Sequence, residues 1–208
     1  MTLDTTVERE PLPTSRAEQT RAKKQRVLDV ARNRFVHYGY RAVTMETIAR
    51  VSAVSKQSLY LWHVDKPALF KACLVDGALR LPVLRFDPDT DIEDDLRTFG
   101  VALLSELAQP SSIGFGAVLI REAHEFPEIA QLVRRNREQY LVQPIAEYLY
   151  QKGLAGNDRR GMADLWISLL LAPIHNHLLL GDTLPDEMTF ASHVRTATAV
   201  FLRGATIC

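Results

Sequence analysis

Cysteine is almost absent from this chain of 208 residues: Cys73 and Cys208 fit neither a disulfide framework nor a thiolate zinc pattern. Net charge is absent too, with 25 Lys and Arg against 25 Asp and Glu, a balance that at first argues against a polyanionic partner. No segment reaches the roughly 18 uninterrupted apolar residues of a membrane span. The most apolar run, Leu165 to Leu180, is broken by Pro173, His175, Asn176 and His177, and predicts a buried helix. The first residues are polar and acidic without an apolar signal core, so a cytoplasmic chain with no membrane partner is expected. Catalytic equipment is also lacking: there is no nucleophile elbow, no glycine-rich phosphate loop and no acid pair on an apolar face. Neither an enzyme nor a cofactor is expected. A metal site is not expected either, because His175 and His177 point roughly 200° apart on a helix and His124 sits between Glu122 and Glu125 on a solvated face.

What is present is an ordinary globular composition, 47% hydrophobic and 24% charged, long enough for a small domain fused to a larger one. The charge is unevenly spread. From Thr14 to Lys66 eleven cations face four acids, a surplus of seven, while the remainder carries fourteen cations and twenty-one acids. The chain is a basic head on an acidic body, and the head is the place to look for nucleic acid.

Within the head, Thr44 to Lys66 reads as two short helices and a tight turn. Thr44 is an N-cap with Val43 before it and Ile48 at N4, and Ser55 is a second cap with Val54 before it and Leu59 after it. Helices this short need a brace, which the apolar stripe Val27, Leu28, Ala31 and Phe35 supplies on a preceding helix ended by Gly39. The second short helix offers Lys56, Gln57, Ser58, Tyr60 and Trp62, groups suited to phosphates and base edges in a major groove. A solvated face with one buried aromatic explains the same residues taken in isolation. The repeated cap and staple, with the basic helix upstream, favour DNA.

The run TMETIA from Thr44, then Val54 and Ser55, Leu59 and Tyr60, and Lys66 followed by Ala68, Leu69 and Phe70, resembles the N-terminal domain of the TetR family of transcriptional regulators, from about Arg21 to Leu74. Ala53 stands where that family's turn usually has Gly, Gln57 where a small residue is common, and His63 where an aromatic or aliphatic residue closes the core. Ala53 is strained if the turn needs positive φ. The segment Ile120 to Glu128 resembles the AefR-like branch of TetR-family C-terminal domains. The resemblance implies DNA contacts by Thr44, Ser55, Lys56, Gln57, Ser58, Tyr60, Trp62, His63 and Lys66. Lys66, at the start of a helix capped by Asp65, is expected on a phosphate.

The expected organisation is a flexible arm over 1–17, a helix-turn-helix domain over 18–66, and a helical ligand-binding and dimerisation domain over 67–208. The apolar period stays near 3.6 throughout, so the fold class is all-α. Helices are expected from Asp65 to about Leu81, Ile92 to Ala108, Ser112 to Glu125, Glu128 to Gly153 with a kink or break at Pro144, Arg159 to Leu180 and Asp186 to Arg203. Phe115, Arg121, Tyr140, Tyr148, Trp166 and His175 are the candidate lining of a small-molecule pocket. The stripe Phe190, Val194, Ala197 and Phe201, beside an apolar partner helix that includes Leu169, is expected to form a four-helix homodimer interface, as in the resembling family. Together these predict a repressor that binds palindromic operator DNA as a dimer and is released by an apolar or amphipathic ligand. A helix-turn-helix adaptor or helical enzyme with no inducer is the competing expectation.

Overall fold

A computed structural model of the chain describes residues 15–154 and 158–205, and every regular element among them is helical. In order these are α1 (Arg16–Ala42), α2 (Met45–Val51), α3 (Lys56–Trp62), α4 (Lys66–Ala78), α5 (Ile92–Leu107), α6 (Pro110–Glu125), α7 (Pro127–Arg137), a π turn (Glu138–Val142), α8 (Gln143–Gln151), α9 (Arg159–Leu180) and α10 (Glu187–Ala205). The expected arm over 1–17 lies outside the described residues except at its end. There Ser15 caps α1 in a full capping box with Glu18, so the helix starts two residues before the expected domain boundary at 18.

Local chemistry sets the head. Thr44 Oγ1 accepts from the Thr47 amide at 3.2 Å, and Ser55 Oγ accepts from the Ser58 amide at 3.0 Å, so both anticipated caps form. Ala53 between them has φ +54°, in the left-handed region, so the anticipated strain in the turn is present. Behind the two short helices, Val27, Ala31 and Phe35 of α1 pack with Ile48, Leu59, Leu69 and Phe70. This core does not stop at the end of the head. Phe115 and Val118 of α6 and Ile129 of α7 belong to it, and Phe70 meets Phe35, Tyr40 and Phe115 at ring distances of 5.0, 5.0 and 5.5 Å.

Head and body are joined most closely near the C-terminal end of α1, where the helix is broken at Gly39. Gly39 turns the chain at φ +77°, and a Cβ there would stand 3.1 Å from Glu122 Oε1, so glycine is needed twice over. The turn aims the Tyr40 amide at that buried carboxylate, 3.2 Å away, and Arg121 Nε donates to the same oxygen at 3.1 Å. Next to it Lys66 Nζ donates to the carbonyls of Tyr40, at 3.0 Å, and Arg41, at 3.3 Å, and lies 4.5 Å from the Tyr40 ring centre. Burial lowers the Lys66 pKa, and the nearby Glu122 carboxylate opposes that shift.

In the body, the chain bends by 78° between α5 and α6, where Pro110 starts the second helix. The expected break near Pro144 occurs just before it. Proline has no amide to give Tyr140, and the preceding residues widen into the π turn, with the Gln143 amide bonding the Glu138 carbonyl. Pro173 inside α9 leaves the Leu169 carbonyl without its helical donor, and His193 of α10 sits with Nε2 at 3.0 Å from that oxygen. By length and composition α9 could cross a bilayer, yet Trp166, Ile167, Leu170 and Ile174 place one face of it in the body core.

One expectation is corrected here. Phe190, Val194, Ala197 and Phe201 are buried against α5 and α9 of the same chain, so they are core residues and not a dimer surface. Their stripe is the strongly apolar face of α10, and the body has first claim on it. The apolar side left uncovered is on α9, where Leu165, Leu169, Ala172 and Leu179 follow one another at helical spacing, with Leu165 and Leu179 exposed.

Two substitutions test this account. Ala53→Gly removes about 1–2 kcal/mol of left-handed strain and adds about 0.5–1 kcal/mol of unfolded-chain entropy, so a net gain of about 0.5–1 kcal/mol is expected in urea unfolding. A loss of stability would mean that the turn is not strained. Glu122→Ala orphans the Tyr40 amide and should cost about 1–3 kcal/mol, whereas Glu122→Gln, which keeps an acceptor, should cost less. Equal losses in both variants would show that the hydrogen bond contributes nothing.

Candidate nucleic-acid interface

α3 is two-sided. Leu59 is fully buried in the shared core, while Lys56, Gln57 and Tyr60 are exposed, with Leu61 beside them. Lys56 is tied only loosely, 3.8 Å from Glu46 across an exposed pair. Thr44 and Ser55 stand at the exposed N-terminal ends of α2 and α3, their hydroxyl oxygens occupied as caps, and Ser58 Oγ accepts from Ser55 Oγ at 2.9 Å. Trp62 packs against the head core and carries the Lys24 ammonium 5.7 Å from its ring, so it faces α1 and not the side that Gln57 shares. His63 ends α3 and is half-buried. Burial, and then Lys24, lower its pKa, so the ring is neutral at pH 7. Lys66 departs most from expectation: two of its three N–H donors already hold the end of α1, leaving one for a phosphate.

The six candidate pocket residues are not brought together. Trp166 is wholly buried between Phe99 and Phe201, with Nε1 3.4 Å from Thr198 Oγ1. Tyr148 is a core residue whose hydroxyl donates to Asp95 at 2.6 Å, and burial, then Asp95, push its pKa up so that it remains a donor. Arg121 reaches the open cleft by His37, Tyr38 and Gly39, and His175 is exposed on α9. Helical phase explains the scatter, since nine residues on one helix put Trp166 and His175 on opposite faces. Only Phe115 and Tyr140 border cavities next to one helix. Phe115 borders one of ≈ 180 Å³, and Tyr140 borders two of ≈ 100 and ≈ 170 Å³, all three along the C-terminal half of α4.

Sequence reasoning missed Arg32, Glu122 and Cys73 as buried polar groups of this region. For Arg32 a signal existed: it lies four residues after Leu28 and three before Phe35, on the apolar face of α1. Cys73 is fully buried, and burial pushes its thiol pKa up to about 12, so it behaves as an inert small apolar side chain.

Comparison with known proteins agrees with this geometry. Residues 27–73 match the model of bacterial regulatory proteins of the tetR family, and residues 94–204 match that of the AefR-like transcriptional repressor C-terminal domain. An uncharacterized HTH-type transcriptional regulator of Bacillus subtilis (strain 168), YvkB, is 27% identical over 88% of this chain and 97% of its own. A TetR transcriptional regulator from Agrobacterium tumefaciens superposes with a TM-score of 0.68 at 27% identity, covering 86% of this chain and 93% of that one. The flavonoid-responsive regulator FrrA shares the fold, with a TM-score of 0.71 at 23% identity over 88% and 96% of the two chains. The capped helix pair, its exposed polar helix and the helical body behind it are therefore those of a transcriptional regulator and not of an enzyme: the chain belongs to the TetR family, with a C-terminal domain of the AefR-like type.

Proposed function

We propose that this regulator is a homodimeric repressor in the cytoplasm that binds palindromic operator DNA and leaves it when a small apolar or amphipathic molecule binds the body. The observation that carries the reading is the two-sided α3, with Lys56, Gln57 and Tyr60 exposed on one side and Leu59 locked into a core shared with α6 on the other. Gln57 reads a base edge, Lys56 and Tyr60 reach phosphate or base, and the hydroxyls of Thr44, Ser55 and Ser58 meet the backbone. Trp62 and His63 hold α3 from behind, and Lys66 adds its remaining donor. Two such helices must enter successive major grooves about 34–36 Å apart, so a change in body shape that alters their spacing weakens both contacts together. Because α4 links head and body and is flanked by the three cavities, a ligand there acts on that spacing only through its preference for the non-binding state. The fold neighbour FrrA is described as flavonoid-responsive, in line with a small-molecule effector here.

The dimer in this reading forms through the uncovered face of α9, including Leu165, Leu169 and Leu179, with Val200 of α10 beside it. The competing reading, an adaptor with no inducer, rests on the solid packing around Trp166 and on the small size of the three cavities beside α4.

DNA binding should weaken steeply with salt, each neutralised phosphate steepening the log–log slope by about 0.9. Fluorescence anisotropy on duplexes selected from random DNA measures this, and a flat salt response would remove the DNA reading. In the same assay Gln57→Ala should relax preference at one or two base pairs and leave the salt slope unchanged. Leu165→Glu places a charge on the exposed α9 face, so it should split the dimer in sedimentation without unfolding the chain. An intact dimer of that variant would move the interface elsewhere.

A further inference from the structure

Arg32 is the least satisfied buried charge in the described part of the molecule. It is nine-tenths buried, with 9% of its surface exposed, and both of its hydrogen bonds leave from Nη2: one to the Cys73 carbonyl and one to Asp76 Oδ2, each at 2.9 Å. Nε is closed off from solvent and meets no acceptor among the described residues, an unfavourable state for a buried guanidinium N–H. Asp76 does not neutralise it alone. The same carboxylate oxygen takes Arg80 Nη2 at 2.8 Å, and its other oxygen takes Gln25 at 3.1 Å, so one acid serves two guanidiniums. Arg80 finds a second acid in Asp29 at 3.7 Å, whereas Arg32 finds none among the described residues.

Arg32 borders the ≈ 180 Å³ cavity between α1, α4 and α6, whose apolar wall is Leu74, Ala78, Leu81, Leu107 and Phe115. An apolar cavity of about 150 Å³ takes one benzene ring. Phe115 lies with its ring centre 5.5 Å from the Arg32 guanidinium carbon, so a flat body beside Phe115 comes up to the edge of the guanidinium. Glu106 also borders the cavity and is half-exposed to solvent, which disfavours a ligand carrying a second negative charge.

We propose that this cavity is a site for a one-ring organic monocarboxylate, with the ring between Leu74, Leu107 and Phe115 and the carboxylate on Arg32. This deepens the ligand-release reading and rests on it for its regulatory consequence. Arg32 belongs to α1 and Asp76 to α4, so a bound carboxylate competes with Asp76 for the cation that ties the two helices. The ligand thereby acts on the brace of the DNA-reading helix directly.

The test uses the full chain, with sodium benzoate as probe and benzyl alcohol as its neutral counterpart of similar size. The Arg32 Nε–H resonance, assigned with Arg32→Lys, should shift saturably with benzoate, and benzyl alcohol should bind at least about tenfold more weakly. Arg32→Lys keeps the charge but loses the fork, and should weaken benzoate by about tenfold or more. Ser112→Phe fills the cavity from α6 while leaving Arg32 and Asp76 unchanged, and should abolish binding in a folded protein. Benzoate binding that leaves Nε–H unmoved, equal affinity for the two probes, or no saturable binding up to the solubility of benzoate would each overturn the site. Anisotropy on operator DNA in the same samples separates the two levels of the argument. If benzoate shifts Arg32 but not DNA affinity, the site stands and ligand release falls; if the protein binds no DNA at all, the repressor reading falls and the site is judged by resonance alone.

Discussion

The end of α1 is the point on which the rest of the molecule turns. Three constraints meet there: a left-handed glycine, a buried carboxylate on another helix, and a lysine from a third. Gly39 cannot carry a Cβ without both an unfavourable φ and a close approach to Glu122. With the glycine in place, the Tyr40 amide finds its acceptor on α6 while Lys66 of α4 binds the carbonyls that the broken helix leaves free. The head is thereby fastened to α4 and α6 by groups that each satisfy an otherwise exposed backbone polar atom. Removing the Glu122 carboxylate leaves the buried Tyr40 amide without a partner, which costs more than the bond itself contributes. The head is thus bonded to α4 and to α6 at one place.

The same accounting of backbone polar groups explains how the body tolerates prolines inside long helices. At Pro144 the chain widens into a π turn. At Pro173 a different solution appears, because the freed Leu169 carbonyl is met by the imidazole of His193 from α10. That imidazole bond also pins α10 to α9, alongside Trp166 and Phe201. Lys152 does comparable work at the other end of α8, donating to the carbonyls of Asp87 and Thr90 at 2.6 Å each and so holding the loop between α4 and α5. Interiors of this kind are stabilised by burial and made specific by a few satisfied polar contacts.

The two halves of the molecule differ in how sharply their surfaces are defined. On α3 the division is between a fully buried leucine and exposed polar side chains one or two residues away. On α9 it is between a tryptophan in the core and leucines left in solvent on the far side. A helix that is apolar nearly all round is read equally well as a buried helix or as half of an interface. Here it is the first on one face and has the composition of the second on the other.

Much of this was legible in the chain itself. Caps at Thr44 and Ser55, the stop at Gly39, the strain at Ala53 and the disturbance near Pro144 are local, decided by residues within about one helical turn, and sequence carries that information in full. The all-α class followed from period alone. What the sequence could not decide was phase and competition between faces. Phe190, Val194, Ala197 and Phe201 form a genuine apolar stripe, but whether it met a second chain or its own body depended on where α5 lay. Trp166 and His175 were grouped by chemistry and separated by helical rotation. Arg32 and Glu122 became important only when helices distant in sequence came together: a charge's partners are set by tertiary contacts tens of residues away, whereas a cap's partner is three residues down the chain.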